Sequence, residues 1–196
     1  MVSRTDILTQ TVEELSDSES FKGLFYQQKE GEPLPSATIL QEIVELVRTI
    51  IFPGYYGNFT INSYTIKYHT GVSVERLYNL LTEQIFSGLV FGCEEECRCE
   101  VPATRENASN IALKCIAKLP EMRRILATDV IAVFNGDPAA QNCGEVICCY
   151  PSIRAISNYR FAHELYKLCV PLIPRIITEM AHEMQQSSRE NDRRCT

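Results

Sequence analysis

Apolar residues in this chain recur at three- and four-residue intervals, and proline or glycine closes each run. Ile39, Ile43, Leu46, Val47 and Ile50 follow Ser36 and stop at Phe52-Pro53-Gly54. Val74, Leu77, Leu81, Ile85 and Leu89 follow Ser73 and stop at Gly92. Met122, Ile125, Leu126, Val130 and Val133 follow Pro120 and run to the turn Asn135-Gly136-Asp137-Pro138. This interval puts each set on one face of a helix, with a serine cap or a first-turn proline at its start. A weaker stripe, Ile7, Leu8, Val12 and Leu15, follows a cap at Ser3 or Thr5. Further helices are expected over about 103–119, from Pro151 to the break at Pro171, and over about 172–184. Within the Pro151 helix the expected apolar stripe is Ile153, Ile156, Tyr159, His163, Tyr166 and Val170. The pattern predicts an all-α chain of roughly seven helices, forming one domain over residues 1–184.

The remaining segments read as connections. Gly23, Gly31, Pro33 and Pro35 interrupt the stretch from Phe21 to Pro35. In the Tyr-, Thr- and Asn-rich stretch Tyr55–Gly71 the alternation of Phe59, Ile61, Tyr64, Ile66 and Tyr68 slips phase, so an ordered loop is expected, with a strand as the lesser alternative. Residues 185–196 carry no apolar side chain except Cys195, and a segment with nothing to bury is expected to be a disordered tail.

A chain of 196 residues with 45% hydrophobic content can enclose a core without staples. No apolar run reaches the ~18 residues a membrane span needs. The N-terminus enters acidic sequence with no apolar signal core, so a cytoplasmic location is expected. Acidic residues outnumber basic ones, 25 to 19, and the bases are scattered, which argues against nucleic acid as a partner. Nine cysteines with no export signal predict reduced thiols.

Motifs for chemistry are sparse. Cys93, Cys97 and Cys99 have C-x3-C-x-C spacing in an acidic loop, but no paired knuckle accompanies them, so no metal site is expected. His163 is expected on the helix-packing stripe, with His69 in the Tyr-rich loop and His182 in the last helix. No phosphate-binding glycine loop and no H-E-x-x-H is present. Asp129 falls near the apolar face of its helix, where a partly buried, hydrogen-bonded carboxylate is expected. Asp137 can either cap its turn or contact a ligand.

Two pieces carry a resemblance. The first is Asp129-Val130-Ile131-Ala132-Val133-Phe134-Asn135-Gly136-Asp137-Pro138-Ala139-Ala140, and the second is Tyr150-Pro151-Ser152 running to Arg160-Phe161-Ala162-His163. A D-P-A turn followed at this separation by a Y-P-G/S helix ending in R-x-A-H resembles the serine O-acetyltransferase family. With Phe52-Pro53-Gly54-Tyr55-Tyr56-Gly57 and the Ser73 helix, the likeness extends over most of residues 36–184. It implies the family's helical N-terminal domain, which makes oligomer contacts and one wall of the serine site, with Asp137 approaching the substrate amino group. In the family a left-handed β-helix follows, bearing the catalytic histidine and the acetyl-CoA cleft. Here Glu183-Met184-Gln185 leads into the polar tail with no hexapeptide repeat, so the chain reads as the helical half alone. It is then expected to be inactive by itself, with no catalytic residue, cofactor site or metal of its own. L-serine and acetyl-CoA would be handled only by the whole enzyme, a homo-oligomer in cysteine synthesis. The alternative reading is a non-catalytic helical oligomerisation module.

Overall fold

The structure, a computed structural model, describes residues 3–21, 33–57, 62–92 and 102–182. The expected tail and the Cys93, Cys97 and Cys99 group lie outside these residues. Two compact units divide the chain, residues 1–32 and 33–196. In the first, α1 (Arg4–Ser16) begins at a full capping box: Ser3 Oγ accepts from Asp6 N–H, and Asp6 accepts from Ser3 N–H. None of its side chains is buried. A single turn, α2 (Ser18–Phe21), follows.

Among its described residues the second unit's regular structure is helical, apart from an isolated bridge between Pro53 and Tyr56. Its elements are α3 (Ala37–Ile51), α4 (Ile66–Gly92), α5 (Arg105–Ala117), α6 (Leu119–Gly136), α7 (Cys143–Cys149) and α8 (Pro151–Lys167), with a last helix, α9, over 173–182. Ser36 caps α3 and Thr104 caps α5, each through its hydroxyl oxygen. Helix α3 packs on α4, α6 and α8, α4 on α5, and α6 on α7 and α8. Their apolar faces meet in one core that includes Leu40, Ile43 and Val47 of α3, Leu77, Leu81 and Ile85 of α4, Leu126 of α6, and Phe161 and Leu165 of α8. Removing each such side chain from water stabilises the fold by about 1.5–3 kcal/mol.

Four expectations change. Helix α4 starts at Ile66, seven residues before Ser73, because the Asn62 side chain accepts from the N–H groups of Tyr64 and Thr65 and turns the chain into the helix early. The stripe of α8 is rotated: its buried face is Ile153, Ser157, Asn158, Phe161, Ala162 and Leu165, while Tyr159, His163 and Tyr166 are exposed. Ser157 and Asn158 can be buried because the first hydroxyl donates to Ile153 O and the second accepts from Arg48, a fully buried arginine on α3. Helix α7 was not anticipated, although Asn142 followed by Glu145 is a cap signal: Asn142 Oδ1 accepts from Glu145 N–H, and Glu145 accepts from Gln141 N–H. Finally, the thiols are not all reduced. Cys169 is disulfide-bonded, whereas Cys115, Cys143, Cys148 and Cys149 are free. Spacing alone could not reveal that bond, because pairing depends on where α8 delivers Cys169.

Candidate active-site wall

Helix α6 ends where it must. Pro138 disfavours the helical conformation at the residue before it, and Asp137 is accordingly extended, at φ −119° and ψ 105°. Its N–H still donates to Val133 O at 3.1 Å, closing the last turn. The chain reverses through an Asx turn in which Ala139 N–H donates to Asp137 Oδ1 at 2.9 Å. Helix α7 then carries it back, and Tyr150 enters extended before Pro151 opens α8. At that point the Tyr150 hydroxyl donates to Asp137 Oδ2 at 2.7 Å. One bond thus ties the C-terminus of α6 to the N-terminus of α8.

The bond sets the charge state of both partners. The Tyr150 hydroxyl and then the Ala139 N–H hold the Asp137 carboxyl below its ordinary 3.8. In return, the Asp137 hydrogen bond pushes the Tyr150 phenol from 10.0 up to about 12. At neutral pH the pair is therefore a carboxylate and a neutral phenol. Such a carboxylate is a poor proton acceptor, but it has lone pairs left for a cation and is only half-buried.

Helix α7 is fastened from the other side by the 52–57 loop. The hydroxyl of buried Tyr56 donates to Ile147 O, and its ring has the guanidinium of Arg154 at 5.6 Å and that of Arg48 at 6.0 Å. Burial raises the Tyr56 phenol above its ordinary value. The ring of Tyr55 comes so close to α7 that a Cβ on Gly144 would stand 3.3 Å from it. Sequence reasoning missed both tyrosines. The sequence marks Phe52-Pro53-Gly54 as a helix stop and Tyr55 as the start of a loop, but no signal there points to contacts with α7.

The other candidates resolve differently. Asp129 accepts two hydrogen bonds from Arg160, at 2.7 and 2.8 Å, in a partly buried ion pair between α6 and α8. That is the hydrogen-bonded carboxylate expected of it, and it accounts for the arginine of the R-x-A-H stretch. His163 is not in the packing: it is exposed and lies parallel to the Tyr159 ring, centroids 6.2 Å apart. His69 meets Tyr68 edge-on, and His182 is exposed near the end of α9. Among the described residues, no three His, Cys, Asp or Glu side chains could jointly hold a metal ion. No described helix is long and apolar enough to cross a membrane. A cavity of about 250 Å³ between Met122, Ile125, Tyr159 and His163 lies toward the opposite end of the α6–α8 pair from Asp137. At 1.5 Å per residue, Ile125 is about 18 Å along the helix from Asp137, so the cavity is separate from the turn.

No family model matches the chain. A plasmid-borne serine acetyltransferase of Synechococcus elongatus is 38% identical to it over 152 residues, covering 76% of this chain and 48% of that protein. The chain is related to the serine acetyltransferases. Serine acetyltransferases of Synechocystis and of Bacillus subtilis match shorter stretches, at 42% over 60 residues and 40% over 58. The chain spans about half the length of the first of these relatives and about a quarter of the others. Among solved structures, serine acetyltransferase 1 of Entamoeba histolytica in complex with L-cysteine has a TM-score of 0.56 and 23% identity, covering 86% of this chain and 53% of that one. Isoform 3 from the same organism, also with cysteine, gives 0.56 and 20%, covering 91% and 54%. These likenesses support the helical fold.

Proposed function

We propose that this chain is the helical half of a serine O-acetyltransferase, in which Asp137 receives the ammonium group of L-serine. The observation that carries the reading is the geometry of Asp137: a half-buried carboxylate held at a bend by Tyr150 and Ala139, with lone pairs left for a cationic partner. Its role is to place the amino acid, not to move a proton, because its affinity for protons is lowered. The base that takes the serine hydroxyl proton, and the cleft for acetyl-CoA, belong to a second half of such an enzyme. The chain alone is accordingly proposed to be inactive, to work in the cytoplasm in cysteine synthesis, and to assemble with further copies of itself.

The proposed assembly surface does not lie on the apolar face of α9. Ile173 and Ile177 of α9 are fully buried, with Ile176 and Met180 packed partly against the core. The exposed large apolar side chains on α6 and α8 are instead Ile125, Ile131, Tyr159 and Tyr166. These same features would serve the second reading, an oligomerisation module without catalysis.

Fusing residues 1–182 to the β-helix half of a related serine acetyltransferase separates the two. Turnover is expected from the fusion and not from the 196-residue chain. Asp137→Asn in the fusion should raise the serine KM by about tenfold or more, the effect of losing a charge-assisted contact, and leave the acetyl-CoA KM nearly unchanged. A fusion that folds but shows no turnover would favour the module. Serine kinetics untouched by Asp137→Asn would return that residue to turn capping alone.

A further inference from the structure

We infer that Tyr150 is a positioning residue for amino-acid recognition, acting through Asp137, with α7 as the strut that delivers it; this rests on the reading of Asp137 as the ammonium contact. An aspartate at an Asx turn has a free second oxygen and a side chain that can rotate away from its ligand. Here both oxygens are engaged. Oδ1 accepts from Ala139 N–H, and Oδ2 accepts from the Tyr150 hydroxyl at 2.7 Å, so the plane of the carboxylate is fixed before any ligand arrives. Each oxygen has a second lone pair, and those remaining positions define where a cation can sit.

Tyr150 reaches Asp137 only because α7 returns the chain across thirteen residues. That helix has just two buried side chains, Val146 and Ile147. What holds it besides these is the 52–57 loop, through the Tyr56 hydroxyl on Ile147 O and the close approach of the Tyr55 ring to Gly144. The linkage runs from α3 through Tyr56 to α7, and from α7 through Tyr150 to Asp137. Tyr150 touches no substrate in this scheme. Its effect is to keep the carboxylate correctly turned, so it should matter for ligands with an ammonium group and not for those without one.

The test uses the fusion of residues 1–182 to the β-helix half of a related serine acetyltransferase, labelled with 13C-carboxyl aspartate, with the Asp137 resonance identified by its loss in Asp137→Asn. L-serine is titrated against 3-hydroxypropionate, which lacks the ammonium. In the wild type, serine should shift the Asp137 carbon and 3-hydroxypropionate should not. Tyr150→Phe should raise the Asp137 titration midpoint and weaken serine binding by about threefold or more, leaving 3-hydroxypropionate unaffected. A raised midpoint with unchanged serine binding would overturn the inference and leave the Asp137 reading standing. Serine binding unchanged in Asp137→Asn, or a wild-type Asp137 carbon indifferent to serine, would overturn that reading and this inference with it. If Tyr150→Phe loses its cooperative unfolding, 3-fluorotyrosine placed at position 150 substitutes for it. This more acidic phenol keeps the ring and should lower the Asp137 midpoint and change serine affinity. No change in either would again refute the proposal.

Discussion

Two glycines in helix α4 should respond oppositely to the same substitution. Gly71 has open space where a Cβ would go, with nothing within 4 Å. Replacing it with alanine removes the entropic cost of glycine inside a helix and should stabilise the fold by about 0.5–1 kcal/mol. Gly88 gains the same propensity, but its Cβ would stand 3.1 Å from Pro171 O and 3.2 Å from Ile173 Cδ1. The isoleucine tip can rotate, whereas the carbonyl cannot. It accepts from Ile173 N–H at 2.6 Å, in a connection where Cys169 and Leu172 both hold φ 59° and Cys169 is disulfide-bonded. Overpacking of this kind costs about 1–3 kcal/mol, so Gly88→Ala should lose about 1 kcal/mol net after the propensity gain. For a chain of this size each kcal/mol is about 2–4 °C in Tm. Gly71→Ala should therefore melt about 2–3 °C higher than wild type, and Gly88→Ala about 2–4 °C lower. Urea midpoints followed by circular dichroism, with unchanged m, give an independent measure. If both variants rise, the α8–α9 connection is free to move, and the close approach of α4 does not constrain it.

The Asp137–Tyr150 bond should give stability a dependence on pH at both extremes. The phenol is raised in the folded state, so its contribution is complete below its unfolded value of 10.0 and is lost as pH rises toward about 12. The Asp137 carboxyl is lowered, so its contribution is complete above 3.8 and is lost as pH falls through the lower folded value. The difference in urea midpoint between wild type and Tyr150→Phe should therefore be flat at neutral pH and shrink at each end; a constant difference would contradict the bond. Thiol labelling mapped by peptide should modify exposed Cys148 and Cys149 quickly and leave Cys115 untouched, because burial pushes the Cys115 thiol up to about 12. Cys169 should react only after reduction, and fast labelling without a reductant would remove its disulfide.

Local chemistry was legible in the sequence wherever a few adjacent residues suffice to decide the outcome. Ser3 and Ser36 cap helices because each side-chain oxygen needs only the N–H three residues on. Gly136-Asp137-Pro138 ends α6 because Pro138 restricts its own neighbour. The early start of α4 and helix α7 are also set locally, by the side chains of Asn62 and Asn142, two signals the sequence reading did not use.

Only the tertiary structure decided what depends on distant partners. Two stripes run along α8 one residue apart, and both satisfy helical spacing. The one containing polar Asn158 is buried because Arg48, 110 residues earlier, meets it at 2.5 Å, so Tyr159 and His163 turn outward. Asp137 and Tyr150 were both visible in the D-P-A and Y-P stretches, but no spacing rule joins them. Their contact exists because α7 reverses the chain and Tyr56, from the far side of the core, holds α7 in place.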